Sequence, residues 1–220
     1  MGTYRVTILP GDGIGREQTD AVINVLNAAQ DRFGLRLEMA EAEAGDAAFK
    51  NRGVALPEDT VKAIKQSDAC LKGPFGETVL ETIVKLRQML DLYANLRPAK
   101  AYPNVKCLRP DIDLIVVREN TEDLYKGMEF ELDDAAVALR VITRKASQRI
   151  AEYAFKLAER RGRKVTAVHK SNVMKIPCGL FSKVCAEVAK SYPNISFNEC
   201  ITSLRTVAIR DTLPLWKITI

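Results

Sequence analysis

The chain has 220 residues, 47% hydrophobic and 28% charged, which is an ordinary globular balance with apolar content sufficient for a packed core. Its net charge of +5 arises from 33 basic residues interleaved with 28 acidic ones, without a basic block carrying aromatic side chains; this argues against nucleic acid as partner and suits an anionic metabolite equally well. Five cysteines in no metal-ligand spacing, an N-terminus running straight into a strand and no apolar run of about eighteen residues predict reduced thiols, a cytoplasmic location and no membrane span.

In chain order, Tyr4 to Leu9 reads as a strand and Pro10 to Gly15 as a turn. A helix follows, with Val22, Val25, Leu26, Ala29 and Phe33 on one face at helical spacing. Leu35 to Glu41 is a second strand. Pro57 suits the first position of a helix whose apolar face holds Val61 and Ile64. After a short strand at Ala69 to Lys72, residues Val79, Ile83, Leu86 and Leu90 define a helix that carries Arg87. The prolines at 98, 103 and 110 mark residues 98 to 110 as the candidate domain crossing.

Ile112 to Val117 is a nearly continuous apolar run, as in a strand covered on both faces. Val137 to Ile142 reads as another strand. Thr143 can cap a helix that buries Ile150, Tyr153, Ala154 and Leu157 and ends at Gly162. Val165 to Val168 is a strand, and a last helix carries Phe181, Val184, Val188 and Tyr192, with Cys178 and Cys185 a heptad apart as core residues. Alternating strands and helices predict an α/β fold with much parallel sheet. From about residue 201 the tail lacks a clean period, and a closing strand is its simplest reading.

Pro10 to Gly15, PGDGIG, resembles a dinucleotide turn but fails the fingerprint: glycines stand at 11, 13 and 15, and the required third position is Arg16. A tight strand-to-helix turn is the better reading. Leu86 to Pro98, LRQMLDLYANLRP, and Val117 to Gly127, VRENTEDLYKG, are more informative. They contribute Arg87, Arg97, Arg118 and Tyr125. A guanidinium presents paired planar donors that fit a carboxylate, so three arginines at one site imply a ligand with more than one acid group. Singly, Arg87 could be a solvated charge, Tyr125 a core tyrosine and Lys170 a surface lysine; together, a lysine base and a tyrosine acid near arginines form a proton-transfer pair. His169, the only histidine, reads as structural.

These blocks, with Leu9 to Gly15, Ile142 to Phe155 and Val168 to Val173, occur in an order that resembles the β-decarboxylating dehydrogenases of 3-isopropylmalate, isocitrate and homoisocitrate over roughly residues 4 to 200. The resemblance is strongest to archaeal-type 3-isopropylmalate dehydrogenases. It implies the isopropylmalate dehydrogenase-like two-domain α/β/α fold, not a Rossmann fold, as a homodimer or higher homo-oligomer with shared active sites. The implied domains are residues 1–98 on the cofactor side and 99–200 for substrate and dimerisation, followed by a tail at 201–220. Arg87, Arg97 and Arg118 would clamp a di- or tricarboxylate. Tyr125 would protonate the enol left by carbon dioxide, and Lys170, from the partner subunit, would take the hydroxyl proton. Glu77, Thr78 and Asn172 would lie on the NAD side. Specificity is implied on the helix before Arg87, where Val79, Leu80, Ile83 and Val84 suit an isopropyl group, with isocitrate and homoisocitrate as alternatives.

The resemblance also implies a magnesium or manganese ion, held by aspartates as such hard cations require. At the positions after Glu199 where the first is expected, this chain has Thr202 and Ser203, and Asp211 is a lone acid in the tail. The expectation is therefore a shifted reading frame or early end from about residue 201, with most metal ligands and most of the NAD site missing and an inactive product. A non-catalytic carboxylate-binding subunit is the alternative from another class.

Overall fold

The computed structural model describes residues 2–76, 80–107, 109–162, 164–201 and 216–219. Two compact units divide at Leu90 and Asp91.

The first unit contains β1 (Thr3–Leu9), α1 (Gly15–Phe33), β2 (Arg36–Glu41), α2 (Asp46–Arg52), α3 (Glu58–Lys65), β3 (Ala69–Lys72) and α4 (Leu80–Met89). Its sheet runs β2-β1-β3, all parallel, with Thr3 opposite Arg36 and Val6 opposite Ala69. Leu9, Ala44, Ile64 and Leu86 form its buried cluster, joined by Leu56, Phe75 and Leu90. The apolar face expected on α1 is largely in solvent: Val25 is 67% and Phe33 71% exposed, and the helix buries Gly15 and Thr19 instead. Three strands make too narrow a sheet to cover a nineteen-residue helix along its length. Pro57 stands one position earlier than expected, as the cap before Glu58, with ψ 148° in the extended region that residues before a helix adopt.

The second unit contains β4 (Ala94–Lys100), β5 (Asp113–Glu119), a 3₁₀ turn (Leu124–Lys126), β6 (Glu129–Glu131), β7 (Ala136–Ala138), α5 (Arg144–Glu159), β8 (Lys164–His169), α6 (Lys175–Ala189), β9 (Ser196–Ile201) and β10 (Trp216–Thr219). The sheet order is β4-β5-β10-β8-β9; β4 is antiparallel to β5 and the remaining neighbours are parallel. Phe155 and Phe181 are fully buried with Ile150, Val165 and Ala167, and Tyr192 stacks on Phe155 with ring centroids 5.1 Å apart. Cys178 and Cys185 lie in this core, and burial, with Glu199 adding to it, pushes the Cys185 thiol far above its ordinary value.

Two expectations change here, and the reading of the tail as a strand holds. The expected crossing at residue 98 falls inside β4, which pairs along its whole length with β5 and so belongs to the second unit. The strand expected at Val137 to Ile142 shrinks to β7, paired only with β6, while Val141 bridges to Asp123. The tail contributes a strand: β10 lies between β5 and β8, with Thr219 opposite both Arg118 and Val168. The α5 cap is as expected. Thr143 is extended, and its Oγ1 accepts the Ala146 N–H at 3.1 Å. The helix ends at Arg160, two residues before Gly162.

Candidate active site

In the first unit, the β1–α1 turn packs against the segment after β3. Asp12 N–H donates to Pro74 O, and Gly73 N–H to Leu9 O, both at 2.8 Å. Gly11 has φ +82°, and a Cβ there would lie 2.0 Å from the Pro74 carbonyl oxygen, so only glycine fits. The Asp12 carboxylate accepts the N–H groups of Asp46 (2.9 Å) and Ala47 (3.1 Å), at the start of α2, and of Gly76 (2.8 Å). Burial raises this carboxyl, but the three N–H groups and nearby Lys72 outweigh it and hold its pKa below the ordinary value. Asp12 thus ties three segments together. PGDGIG serves as a tight turn with an anchor.

Arg87 is half-buried on α4. Close to it lies Lys72, whose ammonium stands 4.3 Å from the Phe75 ring centroid. Burial, and then Arg87, lower the Lys72 pKa, against smaller opposing effects of Cys70 and Asp12. Lys72 was not anticipated from sequence; its one available signal was a lysine closing a short apolar strand. Glu77 and Thr78 lie outside the described residues, as does Val79; for Leu80 only the backbone is described.

In the second unit, Asn95 of β4 is the direct partner of Arg118 on β5. Residues two apart share a strand face, so Arg97, Asn95 and Arg118 are on one face. Arg97 is exposed, and its Nε donates to Asn95 Oδ1 at 3.4 Å. Arg118 is half-buried. Its Nη2 donates to the Tyr125 hydroxyl at 3.0 Å, and its guanidinium lies 5.5 Å from the Tyr125 ring centroid. Lys170 is half-buried and follows β8 directly, beyond the residue level with Arg118 across β10. Two strand spacings put those two backbones roughly 10 Å apart. The structure therefore brings Arg118, Tyr125 and Lys170 to the carboxyl-terminal edge of the parallel strands, where open α/β sheets gather ligands, with Arg97 on the Arg118 face but at mid-strand, opposite Val116. Asn172 is exposed in the turn after Lys170.

The segment between Arg118 and Tyr125 is held by buried charge. Glu119 is 6% exposed; its carboxylate accepts the N–H groups of Thr121 and Glu122 at 3.0 and 2.9 Å and the Thr121 hydroxyl at 2.7 Å. Arg149 of α5 reaches Thr121 Oγ1 at 2.9 Å and both Asp91 oxygens at 2.8 Å, with its guanidinium 4.4 Å from the Tyr93 ring centroid. Glu122 accepts the Thr143 N–H and hydroxyl at 2.8 and 2.9 Å. A run reading RENTED looks solvated, and nothing in its spacing announces that Glu119, Asn120, Thr121 and Glu122 are all buried. His169 is buried beside β9, its Nε2 3.9 Å from Glu199.

Among the described residues, no group of three or more His, Cys, Asp or Glu side chains is placed to hold a metal ion. The described residues thus do not fit a divalent cation, and no chemical step is routed through one.

Two α/β units, the second with Arg118, Tyr125 and Lys170 at strand ends, define the class as a two-unit α/β protein. The chain belongs to the isocitrate/isopropylmalate dehydrogenase family, which it matches over residues 5–209, past the boundary expected at 200. It is 52% identical over 196 residues to a 3-isopropylmalate dehydrogenase of Archaeoglobus fulgidus, covering 89% of this chain and 59% of that protein. It is 43% identical over 202 residues to regulatory subunit 2 of the mitochondrial NAD isocitrate dehydrogenase of Arabidopsis thaliana, covering 89% and 53%. The crystal structure of isocitrate dehydrogenase from Methylococcus capsulatus superposes with a TM-score of 0.89 at 37% identity, covering 98% of this chain and 66% of that one. The chain thus spans somewhat over half the length of these curated relatives.

Proposed function

We propose that this chain carries the substrate-holding and proton-transfer residues of an NAD-dependent oxidative decarboxylation of a 2-hydroxy dicarboxylic acid, 3-isopropylmalate first. The observation that carries this reading is the Arg118–Tyr125 pair with Arg97 on the same sheet face. Arg97 and Arg118 hold carboxylates of the substrate. Arg118 also keeps the Tyr125 hydroxyl in place as a hydrogen-bond acceptor, which leaves the phenolic proton free to point at substrate. Lys170, supplied by the partner subunit of a homodimer, takes the hydroxyl proton as the carbinol becomes a ketone. Carbon dioxide then leaves the β-position, and Tyr125 protonates the carbon left behind. NAD, when bound, accepts the hydride; Asn172, in the turn after Lys170, is assigned to its side of the site, as are Glu77 and Thr78. Arg87 with Lys72 offers a further anion-holding pair in the first unit.

The choice of 3-isopropylmalate rests on the archaeal relative and on half-buried Ile83 and Val84 preceding Arg87 on α4, with isocitrate or homoisocitrate as the alternatives. A homodimer is supported by the β6–β7 hairpin, which pairs only with itself and exposes Met128, Phe130, Leu132 and Leu139. Five free cysteines fit a reducing cytoplasm, and among the described residues no helix is long and apolar enough to cross a membrane. A non-catalytic carboxylate-binding subunit is the second reading, favoured by the likeness to a regulatory subunit and by the described residues' lack of a metal cluster. The test adds 3-isopropylmalate, NAD and manganese to the purified chain and follows both NADH absorbance and the Tyr125 ring signal by NMR. Turnover selects the dehydrogenase. A Tyr125 shift without turnover selects the binding subunit, and no shift in either Tyr125 or turnover overturns both.

A further inference from the structure

Arg140 lies between β7 and the Thr143 cap, half-buried, and plays no part in the chemistry described above. Its guanidinium spans two turns. On one side Nη2 donates to Asp123 Oδ2 at 2.6 Å, and Nε stands 2.5 Å from Oδ1 as a charge contact, a side-on carboxylate pair with one hydrogen bond. On the other side Nη1 donates to the Met174 sulfur at 3.0 Å, with the Cys178 sulfur 4.0 Å away. A thioether is a weak acceptor, so the strong contact fixes the guanidinium and the weak one fixes Met174 to it.

Each side leads to a residue of the proton-transfer pair. Asp123 is two residues before Tyr125 and has φ +65° and ψ −136°, a conformation an L-residue holds only under external restraint. The Arg140 pair and the 2.9 Å bond from Asp123 N–H to Val141 O supply that restraint and set where the 3₁₀ turn bearing Tyr125 begins. Met174 closes the opposite turn: its N–H and that of Val173 donate to Lys170 O at 2.9 and 3.0 Å. Displacing the Met174 end of this turn therefore displaces the backbone of Lys170.

We propose that Arg140 is a positioning residue that couples the Tyr125 turn to the Lys170 turn, so that one guanidinium places the proton donor of the chain's own site and the proton acceptor it lends to its partner's. The functional meaning of this coupling rests on the proposed roles of Tyr125 and Lys170; the coupling itself does not. Within one chain, a shift at either turn is transmitted to the other through Arg140. Lysine at 140 can keep the charge pair with Asp123 but has no second donor arm directed at Met174.

The experiment uses the whole chain, labelled for NMR at tyrosine rings and backbone amides, without ligand. Asp123→Asn is expected to shift the amides of Lys170 to Met174, and Met174→Leu to shift the Tyr125 ring, with melting temperatures close to the parent's. In the Arg140→Lys background both cross-effects are expected to vanish, while Asp123→Asn still shifts the Tyr125 turn locally. If each substitution moves only its own turn in the parent, or if the cross-effects survive in Arg140→Lys, the coupling is overturned. A failure of 3-isopropylmalate to move Tyr125 would instead sink the functional reading and leave the coupling standing.

Discussion

Arg118 is the residue on which the proposed site turns, because it holds Tyr125 and faces the edge where substrate would lie. Lysine at 118 keeps the charge but loses the planar fork. Losing a charge-assisted hydrogen bond of about 1.5–3 kcal/mol predicts 3-isopropylmalate binding roughly 10- to 100-fold weaker by calorimetry. Tyr125→Phe should leave that affinity nearly unchanged and remove any turnover the parent shows. Asp12 gives a pH prediction. Its folded pKa is depressed, so its stabilisation is fully present above the unfolded value near ~3.9 and disappears as pH falls through the folded value. Asp12→Asn should flatten the acid limb of the melting profile below about pH 4, and lower stability near neutrality by about 1–3 kcal/mol for its lost N–H bonds. An acid limb with the parent's slope would show that Asp12 is not the titrating group. Arg97, Arg118, Tyr125 and Lys170, the proposed site residues of the second unit, were conspicuous in the sequence because arginine, tyrosine and lysine beside apolar strand-like runs stand out chemically. Lys72, Asp12 and Arg149 could not, since their roles depend on partners 15, 64 and 58 positions away.

Among elements, α5 was legible to its first residue. Thr143 is followed at helical spacing by buried Ile150 and Ala154 and half-buried Tyr153 and Leu157, and its hydroxyl caps the helix while also donating to Glu122. Thr143→Ala should cost about 1–2 kcal/mol by denaturant titration, and more than a simple cap because buried Glu122 loses a donor. Gly11→Ala should destabilise the first unit by about 2 kcal/mol or more, since both the positive φ and the Pro74 carbonyl oppose a Cβ. The strand at Val137 to Ile142 was misjudged because apolar alternation does not say whether a partner strand is available; β6 pairs with only two of its residues, Val137 and Ala138. The α1 stripe shows the same limit: periodicity marks a face as apolar and leaves open what covers it.

For the whole molecule, the division into two compact units predicts two separable unfolding steps. Phe155→Ala removes a fully buried ring from the second unit and should lower that step by about 3–5 kcal/mol without moving the other. The placement of β10 is testable in the same scan. Proline at Ile218 has no N–H to give in a strand paired on both sides, so Ile218→Pro should destabilise the second unit by about 3 kcal/mol. If that substitution leaves both transitions unchanged, β10 does not hold the centre of this sheet.

By itself the sequence determined the α/β class, most helices and strands, the family and the edge residues of the second unit. These depend on local period, capping chemistry and blocks of side chains with distinctive charge. Only the tertiary structure decided that Arg118 grips Tyr125, that a buried carboxylate network closes the loop between them, that Arg140 spans two turns and that the tail supplies a strand between β5 and β8. All four depend on strand register and on side chains meeting across long separations, which no local pattern encodes.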